Sequence, residues 1–313
     1  MNGAQFTAEA GPAGEFVRQP NHFRGQVTAD GSSGFPVEPG RYVLYVSLAC
    51  PWAHRSVIVR RLLGLEDAIA LRVVDPLRDG RGWRFTLDDD GVDPVTGARF
   101  VLELYRRSDP AFEGRATVPF LWDTVTGQVV TNDYPQITLD LSTQWSALHA
   151  TTAADLYPVH LRAEIDRVAE TTFHAVNNGV YKAGFATGQR AYETAYDALF
   201  ARLDELERLL AGQRYLVGGQ LTEADVRLYT TLVRFDSVYH GHFRCNRQKL
   251  SEYDALWAYA RDLWQTPGFG DTTDQTHIKA HYYGTHDTIN PTGIIPKGPV
   301  TDWSAPHGRH ALG

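Results

Sequence analysis

The run Tyr42-Val43-Leu44-Tyr45-Val46-Ser47-Leu48 is aromatic and β-branched and passes almost at once into Ala49-Cys50-Pro51. Such a run suits a buried strand. Pro51 suits the first position of a helix, where its missing N–H would have had no partner anyway. Strand, cysteine, proline and helix therefore follow one another with little room for a loop, and the Cys50 sulfur is placed at a helix N-terminus. From Arg55 to Gly64, apolar Val57, Ile58, Leu62 and Leu63 alternate with Arg at helical spacing, and Gly64 supplies the stop. A short amphipathic helix is expected.

A thiol in that position faces unpaired backbone N–H groups and the positive end of the helix dipole, both of which favour the thiolate. The thiolate is the nucleophile in thiol exchange. His54 and Arg55 add positive charge on the first turn. In a Cys-x-x-Cys dithiol motif the second cysteine would stand at Ala53, so no internal disulfide forms at this motif and a second thiol comes from solution. Cys50 is accordingly expected to be catalytic. The other cysteine, Cys245, lies in His240-Gly241-His242-Phe243-Arg244-Cys245, a spacing that invites a metal reading. A tetrahedral site would still lack a fourth ligand, so a structural cysteine and no metal are expected.

Beyond the first helix, Ile69 to Val74 reads as a second strand and residues 75 to 98 as a long loop carrying Trp83. Phe100 to Arg106 suits a helix, and Thr117-Val118-Pro119-Phe120-Leu121-Trp122-Asp123 a turn into a strand. A β-α-β half followed by a hairpin half emerges. Past about Asp155 the pattern turns helical, as in Tyr196, Leu199, Phe200, Leu203, Leu206 and Leu210. Thr222-Glu223-Ala224-Asp225 has the form of a capping box, with Leu221 and Val226 at staple positions.

At 313 residues the chain exceeds the roughly 250–300 at which one core stops growing, so two domains are expected. Residues 1–40, rich in Gly, Pro, Ser and Ala, form a partly ordered arm; 41–150 form an α/β domain; 151–270 are all helical; and 271–313 form an irregular tail packed back on the body. A net charge of −7 argues against nucleic acid as partner. No apolar run approaches a membrane span. With two cysteines and no secretory leader, a reduced cytoplasmic setting is expected.

The residues resemble the glutathionyl-hydroquinone reductases, the Xi class of the glutathione transferase superfamily. The resemblance is carried by Cys50-Pro51-Trp52-Ala53-His54-Arg55, Gly114-Arg115 with Thr117-Val118-Pro119, and Tyr181-Lys182-Ala183-Gly184-Phe185-Ala186. It continues through Leu221 to Leu228, Arg234-Phe235-Asp236, Gly241-His242-Phe243, Cys245-Asn246, His277-Ile278-Lys279, His281-Tyr282-Tyr283-Gly284 and Ile289-Asn290-Pro291-Thr292-Gly293. These span roughly residues 42 to 299.

The resemblance implies an N-terminal thioredoxin-like domain, a C-terminal helical transferase domain and a homodimer. It also implies a reaction in which a cysteine attacks the sulfur of a hydroquinone thioether, the hydroquinone leaves, and a second thiol releases the carrier as a disulfide. Tyr181, with Tyr282 or Tyr283, would then line the aromatic pocket and serve the leaving group through their hydroxyls. Trp83 and Arg115 would hold the carrier thiol. Val118 would offer backbone hydrogen bonds to its cysteinyl unit, and Pro119 would be cis.

One segment departs from the pattern. The family signature Asn-Glu-Ser, whose last two residues grip the γ-glutamyl end of glutathione, is here Asn132-Asp133-Tyr134. Either Asp133 reaches the amine from a shifted backbone, or the carrier is another low-molecular-weight thiol such as mycothiol. Two further readings stand beside the reductase: a transferase acting on protein mixed disulfides or dehydroascorbate, and a non-catalytic binding protein with a transferase-like fold.

Overall fold

Every residue of β1 (Tyr42–Val46) is buried, because the strand lies inside a sheet of order β2-β1-β3-β4. It pairs in parallel with β2 (Ile69–Val73), Val43 opposite Ala70, and antiparallel with β3 (Phe120–Asp123), Val43 opposite Trp122. β3 pairs antiparallel with β4 (Gln128–Thr131). The β1–β2 crossover is α1 (Pro51–Leu62). These elements, α2 (Val101–Ser108) and α3 (Tyr134–Thr143) form the expected thioredoxin-like arrangement.

The structure is a computed structural model that describes residues 9–312. Expectations for the first eight residues of the arm lie outside the described residues. The chain divides into two units. Of the described residues, one holds Gln19–Ala154 and Thr272–Asp287; the other holds residues 9–18 of the arm, Asp155–Asp271 and the tail from Thr288. Both arm and tail are thus shared between the units.

α1 differs from the amphipathic helix expected. Pro51 through Arg60 are all buried, Arg55 being 1% exposed. The reason lies in what the arginines bind. Arg60 donates through Nε to the Ile69 carbonyl (2.7 Å) and through Nη2 to the Glu66 carbonyl (2.9 Å), tying the helix end to the start of β2. Arg55 lies 4.7 Å from the Trp52 ring centroid and 5.9 Å from that of Tyr134. Gly64 ends the helix at φ +69°, where a Cβ would come within 2.6 Å of the Ala150 Cβ.

The long loop after β2 is built into the core. Tyr45 Oη donates to Asp93 Oδ2 (2.6 Å), which also accepts from Thr96 Oγ1 (2.5 Å). Phe85, Trp83 and Ala98 join Tyr45, Tyr105 and Phe120 in one apolar cluster. Residues 271–313, expected to be irregular, contain a helix, α9 (Gln275–Thr285), because Asp274 accepts a hydrogen bond from the His277 N–H and caps it.

The other unit is helical: α4 (Arg162–Thr172), α5 (Gly179–Gly184), α6 (Gln189–Leu210), α7 (Glu223–Arg234) and α8 (Ala255–Gln265). Leu199, Phe200, Leu203, Leu206 and Leu210 of α6 are buried at the expected spacing. The capping box forms as expected. The Thr222 N–H donates to Asp225 Oδ2 (2.9 Å), and this fully buried carboxyl also accepts from the Leu216 N–H (2.9 Å) and Tyr259 Oη (2.8 Å). Near the C-terminus, Trp303 sits 4.7 Å from Trp257 and 4.9 Å from Trp264 between ring centroids. No described helix is long and apolar enough to cross a membrane.

Asp140 on α3 gives a pH-dependent test of this packing. Burial pushes its carboxyl up to about 6, against the hydrogen bonds it accepts from Gln136 (2.7 Å) and Gln26 (3.3 Å). The raised value means that the folded chain holds a proton the unfolded chain releases, so stability falls as pH rises from about 4 through about 6. Asp140→Asn is therefore expected to be near neutral at pH ~4 and to stabilise by about 1–2 kcal/mol at pH ~8. Denaturant midpoints at the two pH values check this.

Candidate active site

Cys50 is the residue before the first turn of α1, with extended backbone at φ −77° and ψ 121°. It ends the β1 approach and begins the helix, so its side chain stands at the N-terminal end of α1. It is half-buried, packs against the core cluster, and its Sγ lies 3.5 Å from the Val118 carbonyl oxygen. Val118 is buried, and the bond to Pro119 is cis. The strand-helix junction and the segment before β3 thus bring Cys50, Val118 and Pro119 together.

His54 and Arg55 pack within the unit. His54 Nε2 is 3.0 Å from Thr272 Oγ1, and Arg55 faces the rings of Trp52 and Tyr134.

Trp83 is 3% exposed, and its Nε1 is buried without a hydrogen-bond partner among the described residues. A buried donor in that state is available to an acceptor brought by a ligand. The ring is held by His281 of α9, stacked at 4.9 Å, and by the Arg78 guanidinium at 5.0 Å. His281 is itself fixed, its Nδ1 lying 2.7 Å from the Pro76 carbonyl oxygen. Tyr282 is buried beside His281 and His286, whereas Tyr283 is half-buried and its phenol is pushed up by burial.

The departing segment sits at the end of β4. Asn132 is buried; its Oδ1 accepts from the Phe23 N–H (2.8 Å) and its Nδ2 donates to Thr117 Oγ1 (3.0 Å). Asp133 is half-buried just before α3, and its Oδ1 accepts from Asn21 Nδ2 (3.1 Å). Tyr134 is buried with its ring 4.8 Å from that of Trp52. Arg115 is held by its main chain: Gln19 Oε1 accepts from its N–H (3.0 Å) and Gln19 Nε2 donates to its carbonyl (3.1 Å).

In the helical unit Tyr181 lies on α5, 8% exposed, among the rings of Phe185 (6.0 Å), Tyr239 (6.0 Å) and Phe243 (5.4 Å). The Arg18 guanidinium is 4.9 Å from its centroid, and Arg18 Nε donates to Asn178 Oδ1 (2.9 Å). Arg18, Gln19, Asn21 and Phe23 escaped the sequence reading, and His281 entered it only within the motif His281-Tyr282-Tyr283-Gly284, without its contact to Trp83. The arm that supplies most of them has no periodicity to mark them.

Cys245 is fully buried, its Sγ 3.7 Å from the Phe243 carbonyl oxygen, and burial pushes its thiol up. Burial likewise pushes His242 down to about 4, leaving a neutral ring. Among the described residues no group of three or more His, Cys, Asp or Glu is placed to hold a metal ion.

A thioredoxin-like sheet joined in sequence to an all-helical unit, with a cysteine just before the first helix, defines a glutathione transferase architecture. Comparison with known proteins bears this out. Residues 49–144 match the glutathione S-transferase N-terminal domain and residues 189–262 its C-terminal domain. The chain is 47% identical over 307 residues to glutathionyl-hydroquinone reductase YqjG of Escherichia coli, covering 95% of this chain and 92% of that one. A solved glutathione transferase from Gordonia bronchialis superposes with a TM-score of 0.92 at 58% identity, covering 93% and 91% of the two chains. A Xi-class transferase from Natrialba magadii superposes at 0.89 with 46% identity, covering 93% and 89%. The chain belongs to the Xi class of glutathione transferases, the glutathionyl-hydroquinone reductase family.

Asn132 offers a test of how the site is held. Asn132→Ala removes the acceptor of the Phe23 N–H and one of the two side-chain partners of the Thr117 hydroxyl, and is expected to cost roughly 1–3 kcal/mol. It should also raise KM for the thiol while leaving the iodoacetamide alkylation rate of Cys50 within about twofold, since the helix start itself is untouched. Thermal melts, steady-state kinetics and alkylation rates together check this.

Proposed function

We propose that this protein is a thiol-dependent reductase that removes a low-molecular-weight thiol from hydroquinone thioethers through a mixed disulfide on Cys50. The observation that carries the reading is a lone cysteine at the start of α1, beside the Val118 carbonyl, with Ala53 where a resolving cysteine would stand. The relative YqjG carries the name of this activity, and its solved structure is described as glutathione-bound.

In the first step the Cys50 thiolate attacks the thioether sulfur. The sulfur–sulfur bond forms, the aryl carbon–sulfur bond breaks, and the electron pair leaves with the ring. That departure is easy when the ring is held as its keto tautomer and the developing charge meets a proton. Tyr181, Tyr282 and Tyr283 are the proposed donors; burial keeps the Tyr283 phenol protonated. In the second step a free carrier thiol attacks the mixed disulfide, releasing the carrier as its disulfide and regenerating the Cys50 thiolate. The net change is thioether plus thiol to hydroquinone plus disulfide.

Trp83 Nε1 supplies an unspent donor for the carrier, and the Val118 backbone and Arg115 lie on the segment leading into β3. By likeness to YqjG the carrier is glutathione. Asp133 and Tyr134 support a second reading. Tyr134 puts a buried ring where the family has a small hydroxyl, and Asp133 already accepts a hydrogen bond from Asn21. Both features suit a carrier with a sugar-like end rather than a γ-glutamyl end, such as mycothiol. We take the working form to be a homodimer, as the resemblance implies.

Cys50→Ser is expected to abolish thioether reduction while leaving the melting temperature within a few degrees, and full residual activity would overturn the mechanism. Incubation of the native protein with glutathione disulfide and mycothiol disulfide, read by intact-mass spectrometry, decides the carrier. Dominant addition of mycothiol to Cys50 supports the second reading, and dominant addition of glutathione rejects it.

A further inference from the structure

We infer that Arg18 of the arm is a positioning residue for Tyr181, holding a guanidinium against the ring whose hydroxyl serves the departing hydroquinone. The inference rests on the role proposed for Tyr181 above and adds the group that prepares it. Arg18 is half-buried, its guanidinium carbon 4.9 Å from the Tyr181 ring centroid and 5.2 Å from that of Phe16. Phe16 in turn stacks on Tyr181 at 6.4 Å and 29°. A tyrosine 8% exposed among Phe16, Phe185, Tyr239 and Phe243 sits where a nearby charge is poorly screened.

The backbone is bent to hold this arrangement. Between α4 and α5 the helix widens into one π turn, Phe173–Asn177, closed by the Asn178 N–H donating to the Phe173 carbonyl (2.8 Å). Two neighbouring asparagines are thereby sent to different partners. Asn177 Nδ2 donates to the Arg227 carbonyl (3.0 Å) and to Thr231 Oγ1 (2.7 Å) of α7. Asn178, 7% exposed, accepts from Arg18 Nε at 2.9 Å and so fixes the guanidinium beside Tyr181. A second π turn, Phe235–Tyr239, follows α7 and brings Tyr239 to 6.0 Å from the same ring. Single π turns recur at functional sites, and here two converge on one tyrosine.

The cation acts on a defined step. As the aryl carbon–sulfur bond breaks, its electron pair passes through the ring to the keto oxygen. Tyr181 gives that oxygen its proton, which completes the hydroquinone and leaves a phenolate. The Arg18 guanidinium stabilises the phenolate until the carrier thiol that attacks the Cys50 mixed disulfide returns the proton.

Single-turnover release of hydroquinone from its thioether, followed with the native protein or a variant in excess, reads this step. Arg18→Gln is expected to slow release about tenfold, with the half-saturating concentration held within about twofold. Arg18→Lys keeps a cation for the ring and should stay within about threefold of the native rate. The Arg18→Gln loss should shrink when ring fluorines make the hydroquinone a better leaving group, because less proton donation is then needed. It should vanish in a Tyr181→Phe background. A native rate in Arg18→Gln, an equal loss with every leaving group, a loss as large in Arg18→Lys, or a full further loss in the Tyr181→Phe background overturns the inference. Should Tyr181→Phe alone release hydroquinone at the native rate, the hydroxyl role fails and the inference falls with it.

Discussion

The junction from β1 into α1 is the constraint on which the rest of the sheet unit depends. A parallel strand pair needs a crossover, and here the crossover helix begins so soon after the strand that its first residue is a proline and its cap a cysteine. Cysteine is a poor cap, and its side chain makes no cap hydrogen bond in this helix. What steadies the junction is therefore the other end of α1, where Arg60 grips the carbonyls leading into β2, and its flank, where Trp52, Arg55 and Tyr134 stack. The helix is thus held at places other than its cap.

Much of this was legible because it is local. The strand before Cys50, the cap at Thr222 and the apolar face of α6 each announce themselves within a few residues, through periodicity or through a side chain bonding a neighbouring N–H. The amphipathic reading of α1 went astray for a physical reason. Arginine at helical spacing looks solvent-facing, yet Arg60 finds buried carbonyls and Arg55 finds aromatic faces, and both are buried. The Gly, Pro, His and Tyr content of the tail points to irregular backbone, whereas Asp274 accepts from the His277 N–H and caps the start of α9.

The arm was the least legible element. Arg18 meets Asn178 across 160 positions and Asn21 meets Asp133 across 112. Contacts of that range leave no repeat in a Gly- and Pro-rich segment, so nothing in the arm itself distinguishes Arg18, Gln19, Asn21 and Phe23 from spacer. Their importance appears only with their partners. Asn132, Asp133 and Arg115, all within the candidate site or beside it, are each held by an arm residue. The candidate site is therefore braced by a segment in which the sequence marks no candidate residue.

The division of arm and tail between the two units has a consequence for how the chain is organised as heritable parts. Each unit is assembled from pieces that are separated in the sequence, the break in the arm falling between Arg18 and Gln19 and that in the tail between Asp287 and Thr288. Neither is a cassette that recombination can lift out whole. A gene fusion that carried off residues 41–150 alone would leave behind α9, with the His281 that braces Trp83, and the asparagine that meets Asp133. The two halves must therefore be inherited, and must diverge, as one.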